Sequence, residues 1–277
     1  MNFWKYLLVA AFGFGVAFLL SNKMNMGTKE YDFSSVEAVV SEEESTSYSS
    51  YYNQLTDYQK TLYDTLLIPI ANAESKIVLS NINITDYKNN CFAVTTAIQY
   101  DHPEYFWFTG GYSGSFTKGA FEEAGEVVFE PIYYEYVSSL FNASSKQEKL
   151  EKAVDKVAKL ASEHSADDYE RIIYVHDYLI ENAIYDHEAL KEYFGTSHSP
   201  SCEYIFSAYG CLVDGKTVCS GYAKAFQLIM QKLGYECSYV TGDAGEAHGW
   251  NCIYLDGEGY YVDITWDDMD LEEEKLK

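Results

Sequence analysis

The sequence predicts an α+β fold in which one amphipathic helix packs on an antiparallel sheet, with a smaller α+β region ahead of that core. Three observations predict it. Between Cys219 and Gly234 the apolar residues Tyr222, Phe226, Ile229, Met230 and Leu233 recur at helical spacing, and Gly234 supplies the stop. Strand-like runs follow from Glu236 to Thr241, from His248 to Leu255 and from Tyr260 to Trp266, separated by turn-forming stretches at 242–247 and 256–259. Upstream, between residues 58 and 143, helical and strand-like patterns mix.

Taken in order, the chain opens on an apolar run. From Tyr6 to Leu20 it carries no charge, with Lys5 before the run and Lys23 after it. Residues 1–22 are therefore read as an export signal or membrane anchor. The uncleaved anchor is favoured, because Gly15-Val16-Ala17 and Leu19-Leu20-Ser21 make poor cleavage sites. The remainder is then expected outside the cytoplasm. Residues 23–57 are rich in Ser, Glu and Tyr and lack an apolar period, so they are expected to form a disordered, solvated linker.

The α+β region at 58–143 begins with a helical period through Leu55, Tyr58, Leu62, Leu66 and Ile70, expected to stop near Pro69. Strands are expected from Ile77 to Ile84, Phe92 to Tyr100, Phe106 to Phe108 and Val127 to Tyr136. His102, between Asp101 and Pro103, is read as a turn residue rather than a catalytic group. The core at 144–277 starts with two helices. One carries Leu150, Val154, Val157 and Ala161 on one face; the other opens on the capping pattern Ser165-Ala166-Asp167-Asp168 and runs through Ile172, His176, Leu179 and Ile180. His176 is read as a hydrogen-bonded structural histidine.

Composition narrows the function classes. A net charge of −24 argues against nucleic acid, whose phosphates require a basic stripe, and against docking on anionic lipid. No cofactor is read from the sequence, and His187, His198 and Cys202 lack the spacing of a zinc site, so no metal is expected. Gly210-Cys211-Leu212-Val213-Asp214-Gly215-Lys216-Thr217 matches a phosphate-binding loop pattern. An exported chain with too few residues after Thr217 for a nucleotide domain, and with a negative field, points away from nucleotide. Gly215 is read instead as a tight turn into the next helix.

The chemistry concentrates downstream. Cys219 falls at a helix N-terminus, where unpaired N–H groups and the positive end of the dipole favour a thiolate and can receive an oxyanion. Gly221 either leaves room for substrate or permits close packing. His248 opens the middle strand, and a four-residue turn places Asp263 opposite Cys252, on the face of His248. That leaves Asp263 about 13 Å from the histidine along the strand, so a bulge, twist or shifted pairing is required. The same parity sets Cys237 opposite Cys252, with both expected as free thiols.

Three segments, Gly215-Lys216-Thr217-Val218-Cys219-Ser220-Gly221-Tyr222-Ala223, His248-Gly249-Trp250-Asn251 and Tyr261-Val262-Asp263-Ile264-Thr265-Trp266-Asp267, resemble the core of the transglutaminase-like superfamily, in its bacterial exported branch. The resemblance runs from about Glu170 to Asp267 and includes Ile173-Tyr174-Val175-His176-Asp177-Tyr178-Leu179. It implies a papain-like transglutaminase core with Cys219 as nucleophile, His248 as general base and acid, and Asp263 as the residue orienting the imidazole. Two departures stand out. The family usually has His-Ala-Trp where this chain has His248-Gly249-Trp250, and its members usually continue with further strands after the Asp267 region.

The residues and the resemblance together predict a membrane-anchored cysteine enzyme that cleaves or transfers amide bonds in a protein or cell-wall peptide, as protease, deamidase or transamidase. The competing reading is a non-catalytic surface module that keeps the fold for binding.

Overall fold

Hydrogen-bonding side chains start the helices ahead of the core. The computed structural model describes residues 29–32, 50–118, 124–135, 140–195 and 200–268, and the chain divides into two compact units, Met1–Tyr133 and Tyr134–Lys277. The division falls before the boundary expected after residue 143, because α4 already starts at Leu140 and belongs to the second unit.

In the first unit the elements are β1 (Lys29–Asp32), α1 (Ser50–Asn53), α2 (Asp57–Ala71), β2 (Ile77–Asn83), α3 (Ile84–Asp101), β3 (Phe108–Lys118) and β4 (Ala124–Tyr133). The sheet order is β1-β2-β4-β3, with β1 parallel to β2 and the other pairs antiparallel. Thr56 and Gln59 form a reciprocal capping box at the start of α2, whose Leu62, Leu66 and Ile70 are fully buried. That helix runs two residues past Pro69. A proline so near the end breaks little, because it removes only its own N–H.

Three sequence expectations need correction here. The strand expected from Phe106 to Phe108 only begins at Phe108 and runs on to Lys118. The stretch from Phe92 to Tyr100, expected as a strand, is the second half of α3. Asn83 caps this helix by accepting the N–H groups of Thr85 and Asp86, and Tyr87, Cys91, Val94, Ile98 and Asp101 are buried at helical spacing while Phe92 points outward. Its β-branched and aromatic residues suggested a strand, and the cap and burial period outweighed them. The 23–57 linker is also ordered where it is described: β1 pairs with β2, and α1 docks its Tyr51 and Tyr52 N–H groups on the buried Asp101 carboxylate at 3.1 and 2.8 Å. The expected anchor at 1–22 lies outside the described residues.

The second unit contains α4 (Leu140–His164), α5 (Asp168–Asn182), β5 (Ile184–Tyr185), α6 (His187–Tyr193), a 3₁₀ segment at Pro200–Phe206, a wide π-type turn at Gly210–Asp214, β6 (Lys216–Thr217), α7 (Cys219–Leu233), β7 (Glu236–Asp243), β8 (Ala247–Leu255) and β9 (Glu258–Val262). Leu150, Val154, Val157 and Ala161 of α4 are buried, as are Ile172, Val175, Leu179 and Ile180 of α5. Asp167 rather than Ser165 caps α5, accepting the Glu170 N–H at 3.1 Å. α7 buries Tyr222, Phe226, Ile229 and Met230 and ends at Gly234 with φ 93°, a left-handed stop that favours glycine. The sheet order is β7-β8-β9, all antiparallel. The unit is thus the predicted α+β core, a helix on an antiparallel meander.

Candidate active site

The site begins where α7 begins. Cys219 is the first residue of that helix, and the residue before it, Val218, is extended and offers no side-chain cap. A Ser or Asp at that position would cap the first turn with its side chain; with valine there, the Gly221 N–H turns to Val218 O at 2.9 Å and the Cys219 N–H to the Tyr185 hydroxyl, and the positive end of the helix dipole lies behind the sulfur. The helix start is clamped from below. Val218 donates its N–H to Ile205 O at 3.1 Å, and the buried Thr217 hydroxyl donates to the same carbonyl at 3.0 Å. A Cβ on Gly221 would meet the Thr217 hydroxyl and lie 2.7 Å from Ile205 O and 2.9 Å from Ser207 O. Close backbone packing, not substrate room, therefore explains this glycine. The Gly215 turn has φ 67°, and Thr217, which the phosphate-loop pattern would aim at a metal, points into protein.

His248 is the second residue of β8 and is buried. β8 is tied to α7 by Asn251, whose amide donates to Ala223 O at 2.9 Å and to Ser238 O at 3.3 Å. That tie fixes the distance between the histidine strand and the cysteine helix. Gly249 lies on the helix side, where a Cβ would come 2.8 Å from the Tyr239 ring. The departure from the usual alanine thus accommodates Tyr239.

Asp263 reaches His248 through a register different from the expected one. The β8–β9 hairpin closes with two residues, Asp256 (φ 53°) and Gly257 (φ 83°), between the paired Leu255 and Glu258. Positive φ at both positions is the signature of the tight turn that suits strand twist. Cys252 then pairs with Tyr261, and Asn251 with Val262. Compared with the four-residue turn, Asp263 moves two positions toward His248 without changing face. The carboxylate accepts at 2.8 Å from His248 Nε2. The β7–β8 loop likewise differs from expectation: its Asp243↔Ala247 closure leaves three residues, which shifts parity and pairs Cys237 with Ile253 and Cys252 with Ser238. All six cysteines are free.

The residues after Asp263 explain why it holds its place. The chain turns helical at 264–268, and the second oxygen of Asp263 accepts the Trp266 N–H at 3.4 Å, a capping bond. Asp267 accepts from His176 Nε2 of α5 at 2.9 Å, while Asp268 accepts from the buried Tyr222 hydroxyl of α7 at 2.7 Å. His176 also bonds Asp177 through Nδ1. It is a structural histidine, and it anchors the segment that carries Asp263.

The imidazole itself is flanked by two indoles. Trp266 stacks on His248 with ring centres 5.3 Å apart, and Trp250 lies 5.9 Å away on its own strand. The hydrogen bond to Asp263, followed by a hydrogen bond to Cys219, raises the His248 pKa to about 10 despite the opposing effect of burial. With Nε2 on Asp263, Nδ1 is the nitrogen left for the thiol. Cys219, His248 and Asp263 thus form one connected chain of contacts. His102 is in the first unit, capping α3 with Nδ1 on Glu104 at 2.7 Å. His187 stacks near Tyr185, and His198 lies outside the described residues. Trp266 and Tyr185 are the neighbours that sequence reasoning did not single out; the first was visible only inside a quoted motif, and the second had no signal at all.

Known proteins resemble this segment in part. Residues 155–266 match the family model described as Transglutaminase-like superfamily. The chain is 27% identical over 138 residues to Kyphoscoliosis peptidase of Mus musculus, covering 45% of this chain and 20% of that protein. It is 38% identical over 64 residues to Kyphoscoliosis peptidase of Homo sapiens, covering 18% and 10%. The chain therefore spans a fifth or less of these curated relatives. Two solved structures are similar in part. A structure described as that of a TGase gives a TM-score of 0.40 at 13% identity over 69% of this chain and 50% of the other. A putative cysteine protease from Cytophaga hutchinsonii gives 0.30 at 14% over 57% and 63%. Residues 155–266, the segment that matches the transglutaminase-like model, include Cys219, His248 and Asp263.

Proposed function

We propose that this protein is a cysteine enzyme that cleaves or transfers amide bonds through a Cys219–His248–Asp263 triad and a thioester intermediate. The observation that carries the reading is the unbroken link from the sulfur at the uncapped start of α7, through the buried His248 ring, to the Asp263 carboxylate 2.8 Å away. In the first half-reaction the Cys219 thiolate attacks the amide carbonyl carbon and the C–S bond forms. The tetrahedral intermediate collapses as the imidazolium of His248 gives its proton to the departing amine. In the second, His248 takes a proton from water or from an acceptor amine, which attacks the thioester and frees the thiolate. Asp263 holds the ring and offsets its positive charge.

The substrate class is a protein or cell-wall peptide. The exposed Trp266 stacked on the histidine, and the exposed Tyr261 against Trp250, provide aromatic surface for a polypeptide to lie on. Kyphoscoliosis peptidase, the name of both curated relatives, agrees with hydrolysis as one outcome. The apolar run from Tyr6 to Leu20 supports anchorage in the membrane with the enzyme outside the cytoplasm. The test is acylation of the full-length chain by p-nitrophenyl acetate. A burst of p-nitrophenolate with a mass increase on Cys219, lost in Cys219→Ala, supports the reading. An equal burst from the alanine variant refutes it.

A further inference from the structure

We propose that Lys224 is a positioning residue for this chemistry, whose buried ammonium sits behind the first turn of α7 and holds the Cys219 sulfur as a thiolate. The inference rests on the function proposed above and deepens it. His248 gains and loses its proton during the cycle, whereas Lys224 supplies a positive charge that stays.

The fold aims the side chain at the helix start. Lys224 stands five residues after Cys219 on the same helix, and helical side chains lean toward the N-terminus. Its Nζ donates to Phe206 O at 2.9 Å. That carbonyl lies between two that hold the first turn: Ile205 O takes the Val218 N–H and the Thr217 hydroxyl, and Ser207 O packs where a Cβ of Gly221 would be. The ammonium is thus tied to the backbone that flanks Cys219 on both sides. From β7 the Tyr239 ring lies over it, with the ring centre 5.5 Å from Nζ. The same ring fills the space that Gly249 leaves next to His248.

Lys224 is 9% exposed, and among the described residues no carboxylate pairs with it. Glu203 of the adjoining 3₁₀ segment accepts the Glu135 N–H at 2.8 Å, and Asp186 accepts the Tyr204 hydroxyl at 3.0 Å and the Ala189 N–H at 2.8 Å. A buried cation without a counter-ion is costly, and a carbonyl partner alone asks only for an N–H, not for a charge. The negative group that acts on the ammonium is the Cys219 sulfur on its own helix; His248 of β8 is the other ionisable group at that sulfur. Burial draws the lysine down to about 8, and the sulfur pulls it the other way. Below that pH the charge is in place, and it is there that a proton competes for the sulfur. A thiolate that keeps the ammonium charged is, by linkage, kept ionised by it. The thiol proton goes to His248 Nδ1, and none passes to or from Lys224.

The experiment is the pH profile of Cys219 alkylation by iodoacetamide in the full-length chain, in Lys224→Met and in Lys224→Gln. Methionine keeps the length without the charge, and glutamine also keeps an N–H for Phe206 O. In both variants the acidic limb is expected to move up by about one pH unit, so that alkylation there is about tenfold slower, while the plateau at high pH matches the parent. An unmoved midpoint overturns the proposal. An equal fall at every pH also overturns it, since that is what a packing or hydrogen-bonding role produces. The reciprocal measurement leaves Lys224 in place and decides the matter even where neither lysine variant folds. In protein carrying isotope-labelled lysine, Cys219→Ser should lower the pH at which the Lys224 ε-carbon titrates, followed by nuclear magnetic resonance; an unchanged titration overturns the proposal. If Cys219 of the parent is not alkylated ahead of the other cysteines, the triad reading fails and this inference with it, whereas the other outcomes leave the triad intact.

Discussion

His248 Nε2 and Asp263 Oδ2 lie 2.8 Å apart, although four-residue closure of the β8–β9 hairpin would set Asp263 two positions farther from the histidine along the sheet. The bond has a pH signature. It is the first cause of the rise in the His248 pKa from 6.5 to about 10, ahead of the hydrogen bond to Cys219. A raised histidine pKa stabilises the fold fully below 6.5 and loses that contribution as pH climbs through about 10. Asp263→Asn should therefore lower stability more at pH 6 than at pH 10.5, read from urea unfolding at both. Its acylation rate should drop about 10⁴-fold, as for loss of the orienting carboxylate in other triads.

The hairpin turn itself is testable. Deleting Gly259 and Tyr260 keeps the two-residue turn but carries Asp263 back to the rung of Cys252. Activity should disappear while circular dichroism and the melting curve stay close to those of the parent. Retained activity would show that another group positions the imidazole.

Glycine substitutions separate packing from substrate access. Gly221→Ala drives a methyl group against Thr217, Ile205 O and Ser207 O and should cost about 3 kcal/mol or more, because backbone cannot give way as a side chain can. Gly249→Ala meets the Tyr239 ring and should cost about 1–3 kcal/mol, with the penalty shrinking in a Tyr239→Leu background. Denaturant midpoints for Gly221→Ala, Gly249→Ala, Tyr239→Leu and the Gly249→Ala/Tyr239→Leu double variant check both statements.

Much of the core was legible because its signals are local. The helix from Cys219 to Leu233, its glycine stop and the first two strands follow from period and turn residues, whereas the third, expected from Tyr260 to Trp266, runs from Glu258 to Val262 and gives way to a helical turn at 264–268. The β-pair registers were not legible, since each depends on how many residues a glycine-rich loop uses: two at Asp256-Gly257, three after Asp243. α3 was misread because its capping asparagine and buried stripe had to be weighed against strand-forming side chains. Tyr185 and the Asp267 and Asp268 anchors depend on contacts between distant parts of the chain. No spacing announces such contacts.

The most direct test of the account is the order in which the six cysteines react with iodoacetamide, followed by peptide mapping after brief exposure. Cys211 and Cys237 are buried with their thiols pushed up, and burial does the same to Cys91. Cys219 is partly exposed at a helix N-terminus against His248. Cys219 should be modified first, ahead of Cys252, which is also partly exposed, and His248→Ala should slow it sharply. Uniform slow labelling of all the cysteines, or a Cys219 rate indifferent to His248, would contradict the triad.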